Sequence, residues 1–168
     1  IGSMSSSLNF IVICNLLLSL SLVKSQVPLK EITFKEVEGT DLKLHIFGTK
    51  VDNEDQHKAA IIFFFGGGWV GGTPKQFYPH CEHLSKKGML AISAEYRTEK
   101  SHGATPFQCV EDGKSAVRWI RKNSKKLGVD PNKIVAAGGS AGGHVAACTG
   151  ICLLYTSDAA DEGLGVDL

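Results

Sequence analysis

The pentapeptide Gly138-Gly139-Ser140-Ala141-Gly142 sets a serine among small residues directly after 133–137, which reads as a buried strand. Gly-x-Ser-x-Gly is the spacing of a nucleophile elbow, in which a buried strand turns sharply into a helix and leaves the serine Oγ exposed at the tip. The flanking positions must be glycine because so tight a turn has no room for a side chain. The helix that follows aims its free N–H groups at the site where negative charge develops on a reacting carbonyl. Taken alone, the pentapeptide also suits a Gly-rich strand-to-helix turn that holds phosphate.

A second glycine cluster narrows the chemistry. Gly66-Gly67-Gly68-Trp69 begins 74 residues before Ser140 and follows the continuous apolar run 59–65. A glycine loop in that place can present backbone N–H groups to a tetrahedral oxyanion, and the N–H of Ala141 would add another donor. Both clusters follow buried strands, so the pair points to acyl transfer through a covalent intermediate on Ser140. A serine nucleophile also needs a base and an orienting acid, which in this arrangement follow the serine in chain order. Only His144 follows Ser140 among the histidines. It lies too close in sequence to swing round as base and is expected to be structural. His45, His57, His80, His83 and His102 precede the serine. His80 and His83 stand three apart on one expected helix, a spacing that suits either a metal pair or, the preferred reading, an exposed face. Trp69 and Tyr78 can line an acyl or sugar pocket, or pack over the sheet edge. Arg97 and Asp112 are expected to pair and to fix a helix, with no catalytic part.

These residues need elements to hold them. Ile32, Phe34 and Val37 alternate, as do Leu42, Leu44 and Ile46, around a turn at 38–41, which reads as a hairpin. The run 59–65 is continuous and apolar, as a strand buried on both faces is, and 89–94 and 133–137 read as a second and third buried strand. Helices are expected over 74–87, closed by Gly88, and from Pro106, capped by Thr105, to the Leu127-Gly128 stop. A small-residue helix is expected over 144–150, and loops over 51–58 and 98–105. Strands alternating with helices imply an α/β domain with a mostly parallel sheet, the leading pair forming its antiparallel edge.

Phe63-Phe64-Phe65-Gly66-Gly67-Gly68-Trp69 and Ala137-Gly138-Gly139-Ser140-Ala141-Gly142-Gly143-His144 resemble the hormone-sensitive-lipase-like esterases of the α/β-hydrolase superfamily. The nearer likeness is to the acetyl esterase and feruloyl/acetyl-xylan esterase (BD-FAE-like) branch. Tyr96-Arg97 and the segment 112–121 are similar to that branch too, and the likeness covers 30–151. It implies the α/β-hydrolase fold, here its N-terminal half, and a serine carboxylic-ester hydrolase. By that resemblance Ser140 is the nucleophile, and Gly67, Gly68 and Ala141 form the oxyanion hole. The implied substrate is a small-molecule or carbohydrate ester, with short acyl groups on polysaccharide favoured, and no cofactor is required. The pattern usually opens its glycine loop with a histidine that braces it. Phe65 stands there instead, which puts the bracing in question. Two other readings keep the same fold: a prolyl-oligopeptidase-like serine peptidase, and a non-catalytic binding protein.

The whole chain sets the bounds. Its 168 residues suffice for one domain, and a net charge of +1 without a concentrated basic patch excludes nucleic acid as an expected partner. Phe10 to Val23 is apolar but short for a membrane span, and the small residues Val23 and Ser25 precede a cut after Ser25. Residues 4–25 are therefore expected to be a secretory signal, the alternative being an uncleaved anchor. Export to the extracellular or periplasmic space follows, with no stable membrane insertion after cleavage. Residues 152–168 resemble a translated sequencing-library adapter and are expected to be non-native, the alternative being an acidic tail. The domain proper is then 26–151, a truncated and inactive hydrolase whose triad acid and histidine would lie past Ile151. Cys81, Cys109 and Cys148 show no C-x-x-C spacing, so no metal site is expected. One disulfide or three buried thiols remain open.

Overall fold

A computed structural model describes residues 27–48 and 57–151. The expected signal, 4–25, the expected tail, 152–168, and most of the polar loop at 51–58 lie outside them. Strands β1 (Lys30–Val37) and β2 (Thr40–Phe47) form the hairpin. Its turn needs only two residues, Glu38 and Gly39, both at positive φ, the geometry that matches the twist of paired strands. Then come β3 (Lys58–Phe64), a 3₁₀ turn at Pro74–Phe77, α1 (Tyr78–Ser85), β4 (Leu90–Ala94) and a short α2 (Glu99–His102). The chain continues through α3 (Pro106–Lys122), α4 (Ser124–Leu127), β5 (Val129–Gly138) and α5 (Ala141–Ile151).

The five strands form one sheet in the order β1-β2-β4-β3-β5. The pairs β1–β2 and β2–β4 are antiparallel, while β4–β3 and β3–β5 are parallel, so the leading hairpin is the antiparallel edge, as expected. Alternation sorts the strand residues between two cores. Leu44, Ile46, Ala60, Ile62, Phe64, Ile92 and Ala94 face α3 and α5, with Ala116, Ile120 and Val145. Phe47, Phe63 and Ala91 face α1, with Tyr78 and Cys81. Each fully buried large side chain of this kind contributes about 1.5–3 kcal/mol. No helix among the described residues is long and apolar enough to cross a membrane.

Besides earlier starts for β5, at Val129, and α5, at Ala141, the structure differs from expectation in four places. The stretch 98–105 holds α2, opened by reciprocal hydrogen bonds between Thr98 and Ser101. The helix expected over 74–87 begins as a 3₁₀ turn, because Thr73 caps Lys75 and Pro74 starts the turn. The helix from Pro106 breaks at Asn123, whose side chain donates to the Trp119 carbonyl, and resumes as α4. Finally, β5 is not buried on both faces: it is the outer strand among the described residues, and Val135 is 49% exposed. Cys81, Cys109 and Cys148 are buried thiols rather than disulfides. Burial raises the Cys81 thiol to about 12.

Candidate active site

The register of β3 and β5 builds the site. Phe64 pairs with Gly138, so both parallel strands end at the same level and the segments that follow emerge side by side. That carboxyl end is where open α/β sheets place their ligands. The closeness is tight. A Cβ added to Gly66 would lie 2.8 Å from the Gly139 carbonyl oxygen and 3.4 Å from Ser140 Cβ. At Gly142 a Cβ would run into the carbonyl oxygens of Phe64 and Phe65, so the backbone of α5 can approach β3 only where a side chain is missing. The Gly139 N–H donates to Phe64 O at 3.4 Å and completes the junction.

At the tip Ser140 is exposed and holds φ at +52°. A non-glycine residue in this region costs of order 1–3 kcal/mol, a strain concentrated at functional sites. The helix begins at once: Gly142 N–H donates to Gly139 O (2.9 Å) and His144 N–H to Ser140 O (3.2 Å). Ala141, in the first turn, has no intrahelical acceptor for its N–H. Gly67 and Gly68 are exposed, and their N–H groups find no acceptor among the described residues. The structure thus brings Gly66, which leads into Gly67 and Gly68, against Gly139 and Ser140, which lead into Ala141. No side chain among the described residues hydrogen-bonds the Ser140 hydroxyl, and His144 points its ring elsewhere, at Trp69 and Cys148.

Phe65 does not leave the loop unbraced. Its ring is buried and stacks on Tyr96, with centroids 4.1 Å apart and planes 16° from parallel. Its carbonyl accepts a hydrogen bond from the Tyr96 hydroxyl at 2.5 Å. Burial, with the neighbouring Cys109 thiol, pushes the Tyr96 phenol well above its ordinary value, so the hydroxyl stays a donor. The Gly66 N–H donates to Gln76 Oε1 at 2.6 Å. Beyond the glycines, Val70 N–H and Gly71 N–H both donate to Gly67 O. Gln76 as a brace went unread in the sequence, since a lone glutamine in a polar turn carries no pattern. Tyr96 was noticed only as part of a Tyr-Arg pair.

The remaining candidates separate. Trp69 stays at the site, half-buried against the core and against His144. Tyr78 lies on the other face of the sheet, buried, with its hydroxyl 2.8 Å from His45 Nδ1, so it packs and does not line a pocket here. His80 and His83 are exposed, and among the described residues no cluster of three ligating side chains exists. Arg97 and Asp112 do pair. Asp112 is fully buried and accepts from Arg97 Nε (2.8 Å), Arg97 Nη2 (2.9 Å), Arg97 N–H (3.0 Å) and Lys35 Nζ (3.0 Å). The Asp112 hydrogen bonds and charge hold the guanidinium above its ordinary value, against the cost of burying it.

A profile of the BD-FAE family matches residues 45–159, more than half of the chain and both glycine segments. The chain belongs to the BD-FAE family. Among solved structures, this BD-FAE member is similar to the butyrate-bound esterase Est2 of the planctomycete Thermogutta terrifontis. The TM-score is 0.71 at 47% identity, covering 74% of this chain and 45% of that one. It is equally similar to Thermogutta terrifontis esterase 2 phosphonylated by cyclosarin, with TM-score 0.69, 48% identity, and 71% and 45% coverage. Among curated proteins, it is 29% identical over 110 residues to carboxylesterase NlhH of Mycobacterium tuberculosis, covering 64% of this chain and 33% of NlhH. It is 38% identical over 92 residues to esterase LipC of the same organism, covering 54% and 22%. The chain thus spans about a third or less of these curated relatives and under half of the esterase structures.

Proposed function

We propose that the protein is a serine carboxylic-ester hydrolase acting through an acyl-enzyme at Ser140. The observation that carries this reading is the paired ending of β3 and β5. It brings Gly66, at the head of the glycine loop, against Gly139 and the positive-φ Ser140, which supports reading the two segments as one centre. Ser140 Oγ attacks the ester carbonyl carbon and the carbonyl oxygen takes the negative charge. Gly67, Gly68 and Ala141 N–H groups receive that charge, each such donor lowering the barrier by about 2.7–4 kcal/mol. As the tetrahedral species collapses, the bond to the alcohol breaks and the serine's proton passes by way of a base to the leaving alcohol. Water then cleaves the acyl-serine and releases the carboxylate. The base and its acid are assigned to residues that follow Ser140 in chain order, as this fold arranges them.

The reading favours short acyl groups. Est2 of Thermogutta terrifontis has been captured with butyrate and with propionate, which supports a small acyl pocket here. An acylated polysaccharide as the alcohol partner rests on the likeness of the Gly-loop and elbow segments to the acetyl and feruloyl/acetyl-xylan esterase branch.

The test is covalent. The complete gene product is expected to take up one organophosphonate per chain and to turn over p-nitrophenyl acetate and butyrate, while Ser140→Ala does neither. A wild-type protein that resists the phosphonate and turns over neither ester would overturn the assignment.

A further inference from the structure

The proposed oxyanion donors come from two segments far apart in the chain. Gly67 and Gly68 belong to the loop after β3, and Ala141 opens α5. Their mutual spacing has to match one oxygen atom, and a misplacement of about 1 Å can cost on the order of 100-fold in rate. On one side the loop tip is tied by its backbone: Glu99 N–H donates to Trp69 O and Lys100 N–H to Val70 O, both at 2.9 Å. Toward α5 the tie is made by side chains. The Trp69 ring meets the His144 ring edge to face, at 5.6 Å between centroids and 86° between planes. Trp69 directly follows Gly68, and His144 lies three residues after Ala141.

Trp69 is held there against two unfavourable features. It is a bulky residue at φ +62°, a region such residues avoid. Its Nε1 is buried without a hydrogen-bond partner among the described residues, which costs about 1–3 kcal/mol. Such features persist where the surroundings over-determine a conformation. His144 is itself exposed on its solvent side, and its Nε2 lies 3.5 Å from Cys148 Sγ, one turn further along α5.

We propose that His144 is a positioning residue whose ring, packed against Trp69, sets the distance between the Gly67–Gly68 donors and the Ala141 donor. This rests on the esterase reading and adds that the ring's shape, not its nitrogens, does the work.

The experiment compares His144→Ala, His144→Phe and wild type in the complete protein. With p-nitrophenyl acetate, His144→Ala is expected to lose roughly 10- to 100-fold in kcat, the scale of a displaced donor, with KM little changed. His144→Phe keeps a flat ring and is expected to recover most of the loss. A second readout needs no turnover: with Trp119 and every other tryptophan of the complete protein replaced by Phe, Trp69 emission should shift to the red in His144→Ala and return in His144→Phe. Unchanged kcat in His144→Ala, or His144→Phe as slow as His144→Ala, would overturn the proposal. A wild type without turnover would instead sink the esterase reading, and the emission shifts would then decide the Trp69–His144 contact alone.

Discussion

Ser140 carries a conformational cost. At φ +52° it occupies a conformation that favours glycine, and it does so exposed, with no packing to reward it. Replacing it therefore separates strain from chemistry. Ser140→Gly and Ser140→Ala both remove the hydroxyl, but only glycine relieves the left-handed backbone, worth about 1 kcal/mol. The urea midpoint of Ser140→Gly is expected to exceed that of Ser140→Ala by that margin at unchanged m-value. Equal midpoints would show that the turn is not strained. Sequence alone reached this residue because its neighbours are diagnostic: Gly138 and Gly142 are required by close backbone approach, and a requirement of that kind is written as a residue type. The φ of Trp69 is not written so, because nothing in a tryptophan announces a left-handed backbone.

At the scale of elements, periodicity made the hairpin, the three further strands and their pairing with helices legible, since alternation and apolar runs follow directly from which faces are buried. What escaped leaves no period in the sequence. The four-residue α2 is too short to show a period, and the Asn123 break rests on one side-chain hydrogen bond. The outward face of β5 depends on what lies beside it, which no local pattern records. The bracing of the glycine loop belongs to the same class. Phe65 replaces an expected histidine, and the support comes from β4's far end through Tyr96. Tyr96→Phe would keep the stacked ring while leaving the Phe65 carbonyl without its donor. It is expected to cost about 1–3 kcal/mol in denaturant unfolding, and to lower esterase kcat more than KM. A variant with wild-type stability and turnover would show that the stack alone braces the loop.

For the molecule as a whole, one carboxyl held ready to ionise lies where β2, β4 and α1 meet. Glu95 accepts from the Lys43 N–H and lies 3.1 Å from His45 Nε2, while His45 Nδ1 contacts the Tyr78 hydroxyl. Glu31 and the Lys43 ammonium complete the charges around it. Burial opposes Glu95 ionisation, but the His45 and Lys43 hydrogen bonds and charges outweigh it and hold the carboxyl below its ordinary value. A carboxyl lowered by folding stabilises the native state above its unfolded pKa, and that contribution fades as pH falls through the folded value. Urea midpoints measured from pH 7 down to pH 3 should therefore fall less steeply for Glu95→Gln than for wild type. Parallel curves would place the acid sensitivity elsewhere. The pairing of β3 with β5 has a further consequence, in time. The hairpin closes across two residues, whereas Phe64 meets Gly138 across about 74, and contacts so distant form late because loop closure must come first. The glycine loop and the serine turn meet only at that last closure. Loss of hydrolysis is therefore expected to precede loss of helical signal on warming, and coincident losses would show that the β3–β5 junction opens with the rest of the fold.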